Sequence, residues 1–379
     1  MRISVPLARG IVLLVFAGLV FVVSQRDSDD CEVVSDPDRS ILGCSRIIDG
    51  SGETRHKRAV AFTNRAWAYL KKGDNDRAIA DASEAIQLDP KIAVAYDHRA
   101  AAYMNKGDND RAVANASEAI RLDPKKAVAY RNRAGAYLNK GDNDRAIADY
   151  SEAIRLDPKV AMAYVNRAGA YLKKGDNHRT IADASEAIQL DPKIAVAYYY
   201  RAGAYVQKGD NNHAIADYSE AIRLDPKSSK SYFNRGLLNL YANSVDKALA
   251  DLNQASALAP NDAYAALWLD IVSQRNNLPS RLPQTSSQLD VKAWPAPVVR
   301  LVMGQMTPSA LLAAADDPNA TTKKGQVCEA NFYIGELSLM EGAKDEAARL
   351  FRLTASDCPR DFAEWHAANA ELKALGAAP

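Results

Sequence analysis

The stretch AVAYRNRAGAYLNKGDNDRAIADYSEAIRLDPKV, residues 127–160, recurs along most of the chain with few changes. Each copy carries a proline near its end, and these prolines are spaced 34 residues apart: Pro90, Pro124, Pro158, Pro192, Pro226 and Pro260. A fixed period of this length is typical of small structural units that stack in a row. We therefore interpret the 379-residue chain as a repeat protein and not as a series of ordinary globular domains.

Each repeat is predicted to form two antiparallel helices. In the quoted copy, apolar side chains recur at helical spacing from Ala127 to Leu138 and again from Ala146 to Leu156. Gly141 lies where a helix ends in left-handed geometry, one of the aspartates after it can cap the next helix, and Pro158 ends that helix. Since two helices alone cannot bury both apolar faces, each pair is expected to pack on its neighbours.

This pattern resembles the tetratricopeptide repeat. Counting Ala127 as position 1, the aromatic residue at 4, the small residue at 8, Tyr at 11, Ala at 20 and 27 and Pro at 32 are Tyr130, Ala134, Tyr137, Ala146, Ala153 and Pro158. The pattern occurs six times, over residues 59–262. The resemblance implies an all-α fold, namely a right-handed solenoid of antiparallel helix pairs with a C-terminal helical extension and a capping helix.

The N-terminal residues predict export. An unbroken apolar run, Ile11–Val23, follows Arg2 and Arg9. As a helix it would be about 20 Å long, whereas a bilayer core is about 30 Å thick. The run therefore fits the core of a secretory signal better than a spanning helix. Residues 1–24 are predicted to be a signal peptide, cleaved after Ser24 or kept as an N-terminal anchor, which places the protein in the periplasm or on a membrane facing it.

The four cysteines predict two disulfides. In an exported protein an even cysteine number favours disulfide bonds, and four cysteines allow three connectivities. Proximity in sequence favours Cys31–Cys44 and Cys328–Cys358. The letters ILGC at residues 41–44 imitate a lipoprotein box, but a polar stretch separates them from the apolar run, so lipidation is not predicted. The absence of a Cys-x-x-Cys spacing and the scattered histidines predict no metal site and no cofactor.

The regions flanking the repeats are predicted to be helical but less regular. Residues 25–58 are predicted to be a pre-repeat helical segment, 263–326 an irregular helical linker, and 327–379 a degenerate repeat with a capping helix. The stretches WPAPVVRL, GQMTPSALL, CEANFYIGELSL and FAEWHAANAEL resemble the tail of bacterial exported repeat proteins of the NlpI lipoprotein type. That resemblance implies an adaptor of the cell envelope that holds proteases or wall hydrolases.

Composition and motifs argue against two function classes. The net charge of +1 disfavours a general nucleic-acid binder, which needs a basic surface to neutralise phosphates. The sequence contains no phosphate loop, no Gly-x-Ser-x-Gly and no His-Glu-x-x-His, and its five histidines share no common setting with acids or cysteines. We therefore predict that the protein is not an enzyme.

In the tetratricopeptide family the first helix of each pair lines a groove, chiefly through positions 2, 5, 6, 9, 12 and 13, a surface we call the first-helix face. The predicted peptide-binding residues on it are Asn64, Trp67, Asp97, His98, Arg131, Asn132, Val165, Asn166, Tyr199, Tyr200, Phe233 and Asn234. Amide side chains there can hold a peptide backbone, although variation on a tolerant surface explains the same differences. The carboxylate clamp of chaperone-binding members is excluded, because Thr63 and Trp67 stand where it needs Lys and Asn.

Two ambiguities follow from the repeat pattern. Arginine occupies position 7 of all six repeats, and it forms either a basic stripe for an acidic ligand or an intramolecular ladder with repeated carboxylates, the interpretation we favour. The aromatic residues Tyr199, Tyr200 and Phe233 either anchor a partner or pack under the C-terminal segment. The sequence thus predicts a non-catalytic interaction scaffold of the bacterial envelope that docks a protein or peptide partner. The alternative is a structural or self-associating scaffold without a peptide ligand.

Overall fold

The computed structural model describes residues 29–33, 35–289, 293–360 and 362–377. These residues form helices joined by turns and contain no β-strand, so the all-α fold is confirmed. The chain divides between Lys174 and Gly175 into two compact units, called units 1 and 2 below. No helix within the described residues is both long and apolar enough to cross a membrane. The predicted signal or anchor, residues 1–24, lies outside the described residues.

Unit 1 consists of one preceding helix and the helices of the first repeats. They are α1 (Pro37–Asp49), α2 (Arg55–Lys71), α3 (Asn75–Leu88), α4 (Ala93–Asn105), α5 (Asn109–Leu122), α6 (Ala127–Asn139), α7 (Asn143–Leu156) and α8 (Ala161–Lys173). Helices α2 and α3, α4 and α5, and α6 and α7 pack as hairpins, and each hairpin also packs on the first helix of the next. Neighbouring repeats therefore bury the faces that one hairpin leaves open.

Unit 2 continues the pattern and then departs from it. Its helices are α9 (Asn177–Leu190), α10 (Ala195–Gln207), α11 (Asn211–Leu224), α12 (Ser229–Tyr241), α13 (Val245–Leu258), α14 (Ala263–Arg275), α15 (Leu282–Thr285), α16 (Ala296–Val302), α17 (Pro308–Ala314), α18 (Ala320–Met340), α19 (Lys344–Asp357) and α20 (Ala363–Ala374). Helices α18 and α19 form the degenerate hairpin, and α20 packs against both. Helix α18 begins seven residues before residue 327, where the degenerate repeat was predicted to start.

The turn between the two helices of a repeat has the geometry that its sequence predicts. Gly141 adopts a φ of +78°, which glycine reaches without steric cost. The side chain of Asp142 accepts a hydrogen bond from the backbone nitrogen of Arg145 and so caps helix α7. In the sixth repeat Asn243 replaces the glycine and adopts a φ of +57°. Asparagine tolerates this left-handed region better than most residues, so the turn is kept.

Small residues hold the helices of each hairpin close together. Ala134 and Ala146, at positions 8 and 20, are fully buried where α6 and α7 meet. Thr180 stands at position 20 of its repeat in place of alanine and is also fully buried, and its hydroxyl donates to the carbonyl oxygen of Asp176 at 2.8 Å. The internal hydrogen bond satisfies the extra polar atom, so the departure from alanine leaves no bare hydroxyl in the core.

The degenerate hairpin depends on a glycine at position 8. A Cβ atom added to Gly335 would lie 2.8 Å from a ring carbon of Phe351, which is fully buried. At Gly135 the nearest atom to such a Cβ, at 2.9 Å, is the sulfur of Met104, a flexible side chain that can move away.

We therefore expect Gly335→Ala to destabilise unit 2 by about 1–3 kcal/mol, because an extra methyl in a packed core forces the ring to shift. Gly135→Ala is the matched control, since both changes gain the same helix propensity. Urea unfolding of the two variants measures the difference. An equal or higher stability for Gly335→Ala would mean that Phe351 moves freely.

Unit 2 has the larger aromatic core of the two units. Trp268, Phe332, Tyr333 and Phe351 are buried in it, and the ring of Phe332 lies 5.2–5.8 Å from the rings of the other three. A disulfide joins Cys328 to Cys358, the two ends of the degenerate hairpin. Helices α14, α18, α19 and α20 are thus joined around one hydrophobic cluster.

Residues 29–33 are held tightly against α1 in unit 1. A disulfide joins Cys31 to Cys44, and Asp30 forms an ion pair with Arg39 at 2.5 Å. A Cβ atom at Gly43 would lie 2.6 Å from the backbone nitrogen of Cys31, so only glycine allows this approach. The cysteine of the ILGC letters is therefore a buried disulfide partner on a short helix.

Candidate functional site

The position 7 arginines form an intramolecular ladder. Arg133 donates from Nε and Nη2 to the two carboxylate oxygens of Asp149 at 2.7 and 2.9 Å. Its Nη1 donates to Ser117 of the preceding repeat at 3.1 Å, and its guanidinium lies over the ring of Tyr130. The same two-bond contact joins Arg65 to Asp81, Arg201 to Asp217 and Arg235 to Asp251. These arginines therefore hold repeats together and are not a free basic stripe.

Positions 5 and 6 of the first helices contact each other between neighbouring repeats. The side-chain amide of Asn132 donates to the carboxylate of Asp97 at 2.8 Å, across one repeat boundary. Asn234 likewise donates to the hydroxyl of Tyr199 at 3.3 Å. These four predicted site residues therefore form part of the packing between first helices.

Two predicted site residues are too buried to meet a ligand. The exposed fraction is 3% for Asp97 and 1% for Val165. Both lie at position 5, and the carboxylate of Asp97 accepts a hydrogen bond from Asn132 of the repeat that follows. The other predicted residues of unit 1 are half-buried: Asn64, Trp67, His98, Arg131, Asn132 and Asn166. They form the accessible part of the first-helix face in unit 1.

The N-terminal end of this face adjoins the disulfide-held segment. A cavity there is lined by Cys31, Glu32, Val33, Ser40, Asn64, Trp67 and His98. The ring of Trp67 stacks on that of His98 at 5.2 Å, and the amino group of Lys71 lies 4.6 Å from the same indole ring. Residues 31–33 therefore border the first-helix face at the first repeat.

Two titratable groups beside Trp67 have shifted pKa values. Burial raises the pKa of the Asp97 carboxyl to about 6, although Lys126, Asn132 and Arg131 oppose the shift. Burial lowers the pKa of the His98 imidazole to about 4, and its hydrogen bond to the carbonyl of Thr63 opposes that shift. His98 is therefore neutral at pH 7.

These shifts predict opposite pH dependences for two variants. A raised acid pKa favours folding below pH 3.8, and that contribution is lost as the pH rises through 6. The lowered histidine pKa favours folding above pH 6.5, and that contribution is lost as the pH falls through 4. The two slopes oppose each other between pH 4 and 6 in the wild type.

As the pH rises from 4 to 6.5, we expect the free energy of unfolding of Asp97→Asn to increase by about 2–3 kcal/mol relative to that of the wild type, because each pKa unit corresponds to about 1.4 kcal/mol. His98→Asn, which restores the residue of the sister repeats, should lose a similar amount relative to the wild type over the same interval. Urea unfolding at pH 4, 5 and 6.5 measures both. Parallel pH profiles for wild type and variants would contradict the assigned shifts.

The aromatic residues of unit 2 are largely packing residues. Tyr199 packs with Tyr218 and Leu238, with its ring 5.7 Å from that of Tyr218. Phe233 packs against the hydrophobic cluster that also holds the C-terminal helices. Tyr200 is half-buried beside Tyr199. Of the two interpretations of these aromatic residues, packing under the C-terminal segment therefore describes Phe233 better than an open binding surface does.

Sequence reasoning missed a group of buried carboxylates in unit 2. Glu329 and Glu336 lie seven residues apart on α18, and Glu364 and Glu371 lie seven apart on α20. Each pair therefore projects from one side of its helix, and all four side chains are buried. In the sequence, these buried carboxylates are indicated by glutamates at helical spacing within apolar stretches such as CEANFYIGELSL.

These carboxylates are tied to groups from other helices. Glu329 accepts hydrogen bonds from the hydroxyl of Tyr264 at 2.9 Å and from the indole nitrogen of Trp294 at 2.8 Å. Glu364 accepts one from the hydroxyl of Tyr333 at 3.2 Å. Burial raises the pKa of the Glu364 carboxyl to about 7. Within the described residues, no group of three or more histidine, cysteine, aspartate or glutamate side chains is arranged to hold a metal ion.

Arg275 on α14 is the cation beside this group. It donates from Nη1 to Glu371 at 2.7 Å, and its Nε lies 3.3 Å from the carboxylate of Glu336. Burial raises the pKa of Glu336 to about 8, with Arg275 opposing the shift and Glu371 adding to it. The group thus links helices α14, α18 and α20 by charge as well as by packing.

Comparison with known proteins agrees with the repeat pattern. Models described as tetratricopeptide repeat match residues 59–92, 98–161 and 132–195, and a model described as TPR repeat matches residues 202–240. Together these matches fall inside the six repeats identified from the sequence.

Solved structures share the fold at low identity. PilW, described as a widely conserved type IV pilus biogenesis factor, is 18% identical with a TM-score of 0.51, and the match covers 56% of this chain and 98% of PilW. The protein pilF of Pseudomonas aeruginosa is 17% identical with a TM-score of 0.52, and the match covers 58% of this chain and 99% of pilF. A chain of the Cut9–Hcn1 hetero-tetramer of the APC/C is 17% identical with a TM-score of 0.53, and the match covers 73% of this chain and 54% of that chain. Residues 59–92, 98–195 and 202–240 are therefore tetratricopeptide repeats, and these solved structures show the same fold.

Proposed function

We propose that the protein is a non-catalytic scaffold that docks a segment of a partner protein on the first-helix face of its repeats. The observation that carries this proposal is that the constant and the variable positions of each repeat have different roles. The alanines, the turn and the arginine–aspartate ladder are nearly constant and fully used in packing. The residues at positions 5 and 6 vary between repeats and include half-buried side chains that a ligand can reach.

The proposal includes a place in the cell envelope. The apolar run near the N-terminus and the resemblance of the C-terminal stretches to NlpI-type proteins support export. The two disulfides support it as well, because such bonds persist in oxidising compartments. An adaptor for envelope proteases or wall hydrolases is the form of this function that the resemblance favours. Cell fractionation followed by mass measurement of the N-terminus tests export and cleavage after Ser24, and recovery of the uncleaved chain in the cytoplasm would contradict it.

The docking proposal is tested by affinity purification from an envelope extract. The wild type is compared with Trp67→Ala/Asn166→Ala, which alters two accessible residues of the first-helix face in unit 1. The matched control is Glu118→Ala/Arg121→Ala, an exposed ion pair on α5. We expect the first variant to lose the captured partner while it melts like the control. Equal capture by both variants would contradict docking on this face.

The alternative, a self-associating scaffold, makes a different prediction in the same material. Sedimentation analysis of the purified protein would then show concentration-dependent oligomers, and the captured protein would be a second copy of the chain. A monomer that captures a different protein supports the docking function.

A further inference from the structure

The accessible charges of the first-helix face in unit 1 are positive. Among positions 2, 5, 6, 9, 12 and 13 of helices α2, α4, α6 and α8, the charged residues are Lys71, Asp97, Arg131 and Lys173. The one acid, Asp97, is buried, whereas Lys71 and Lys173 are exposed and Arg131 is half-buried. Lys126, directly before α6, adds a cation beside Asp97. Apart from the exposed Glu32 of the bordering segment, the charges that a ligand meets on this face are therefore positive.

These cations differ from most others in unit 1. Elsewhere, lysines at the turn within a repeat pair with aspartates of the preceding repeat, as Lys106 does with Asp76. The arginines at the starts of second helices pair with the capping aspartates, as Arg145 does with Asp142. Lys71, Lys126, Arg131 and Lys173 form no ion pair with any carboxylate of the described residues. Their charges are left for solvent or for a ligand.

Apolar side chains lie among these cations. Val94 and Met162, both at position 2, have exposed fractions of 37% and 44%, although they are aliphatic. Trp67 is half-buried beside Lys71. Such a surface complements a chain that combines carboxylates with apolar side chains, since opposite charges align the two partners and apolar contacts add affinity.

We propose that the first-helix face of unit 1 binds an acidic segment of the partner protein, whose carboxylates pair with Lys71, Lys126 and Arg131. The inference rests on the proposed docking function and adds the chemistry of the segment. The geometry differs from the carboxylate clamp, because Thr63 and Trp67 occupy the positions that the clamp requires. Binding through exposed ion pairs should weaken with rising ionic strength.

A selection from a random peptide library on the purified full chain tests the charge preference. We expect the selected peptides to be enriched in Asp and Glu. A selected peptide carrying a fluorescent label should bind Lys71→Gln/Lys126→Gln/Arg131→Gln about tenfold or more weakly in fluorescence anisotropy. The matched control, Lys91→Gln/Lys125→Gln/Lys159→Gln, removes three exposed lysines at the turns between repeats and should change binding less than twofold.

Asp97 supplies a test of opposite sign. It is faced by Lys126, Arg131 and Asn132 and adjoins His98, and its ionised carboxylate offsets part of the positive charge. Asp97→Asn keeps the shape and removes the charge, so it should tighten binding of the same acidic peptide at pH 7 by roughly two- to fivefold. A purely structural role for these residues would weaken binding in both variants.

The outcomes separate this inference from the proposed function. Selected peptides that bind the face but show no acidic enrichment, or that bind the triple lysine–arginine variant unchanged, would overturn the inference and leave docking intact. Failure to select any peptide, together with no captured partner from the extract, would overturn both.

Discussion

Arg275→Met is expected to lower the free energy of unfolding of unit 2 by about 3–5 kcal/mol, because it leaves the buried carboxylate of Glu371 without its cation. Arg275 pairs with Glu371 at 2.7 Å and lies 3.3 Å from Glu336. Neither carboxyl oxygen of Glu336 receives a hydrogen bond from the described residues, so its ionised form, which becomes dominant only above about pH 8, depends on this arginine. Urea unfolding followed by tryptophan fluorescence measures the loss, since Trp268, Trp294 and Trp365 all lie in unit 2.

Three further variants make that measurement specific. Arg349→Met breaks an exposed ion pair with Glu346 in the same unit and should change the stability of unit 2 very little. Adding Glu371→Gln to Arg275→Met should restore part of the stability by removing an unpaired charge. Glu336→Gln alone should hold or raise stability at pH 8, since the raised pKa means that folding stability declines as the pH rises from 4.5 to about 8. A loss no larger for Arg275→Met than for the exposed pair would contradict this account.

Removing the disulfide of the degenerate hairpin is expected to cost about 3–4 kcal/mol. Cys328 and Cys358 are 30 residues apart in sequence, and closing a loop of that size limits the unfolded chain by roughly this amount. The variant Cys328→Ala/Cys358→Ala should therefore unfold at lower urea concentration than the wild type in the unit 2 fluorescence signal. Peptide mapping without reductant confirms the pairing beforehand.

A reductant provides the control for this experiment. It should shift the unit 2 transition of the wild type towards that of the double variant and leave the variant's own transition unchanged. Any response of the variant to reductant must then come from Cys31–Cys44, which lies in unit 1. A wild type whose unit 2 transition ignores reductant and equals that of the double variant would show that this disulfide does not stabilise the unit.

The repeats were predictable because their contacts recur at fixed sequence distances. Arg133 meets Asp149 sixteen residues later, and the same spacing joins Arg65 to Asp81 and the other pairs of the ladder. A contact within one hairpin needs only the local helix and turn signals, and these are repeated in six copies. The sequence left two interpretations of the position 7 arginines open, because spacing alone does not show whether a side chain faces a neighbour or a ligand.

The candidate site was only partly predictable. The family positions placed Asn64, Trp67 and Arg131 on the first-helix face, where the structure leaves them partly accessible. The same rule included Asp97 and Val165, which are buried. Position numbers give the direction of a side chain from its own helix, whereas accessibility also depends on the size of residues in the next repeat.

The sequence by itself determined the helical repeats, their boundaries at glycine, aspartate and proline, and the local cysteine pairs that the structure contains. These features follow from backbone preferences and short sequence distances. Tertiary structure alone decided that Arg275 meets Glu371, 96 residues later, and that Phe233 packs against the hydrophobic cluster that also holds the C-terminal helices. It also decided that Lys71, Lys126 and Arg131 lack carboxylate partners among the described residues. Such contacts join elements outside the period, so burial and packing determine them and sequence spacing does not.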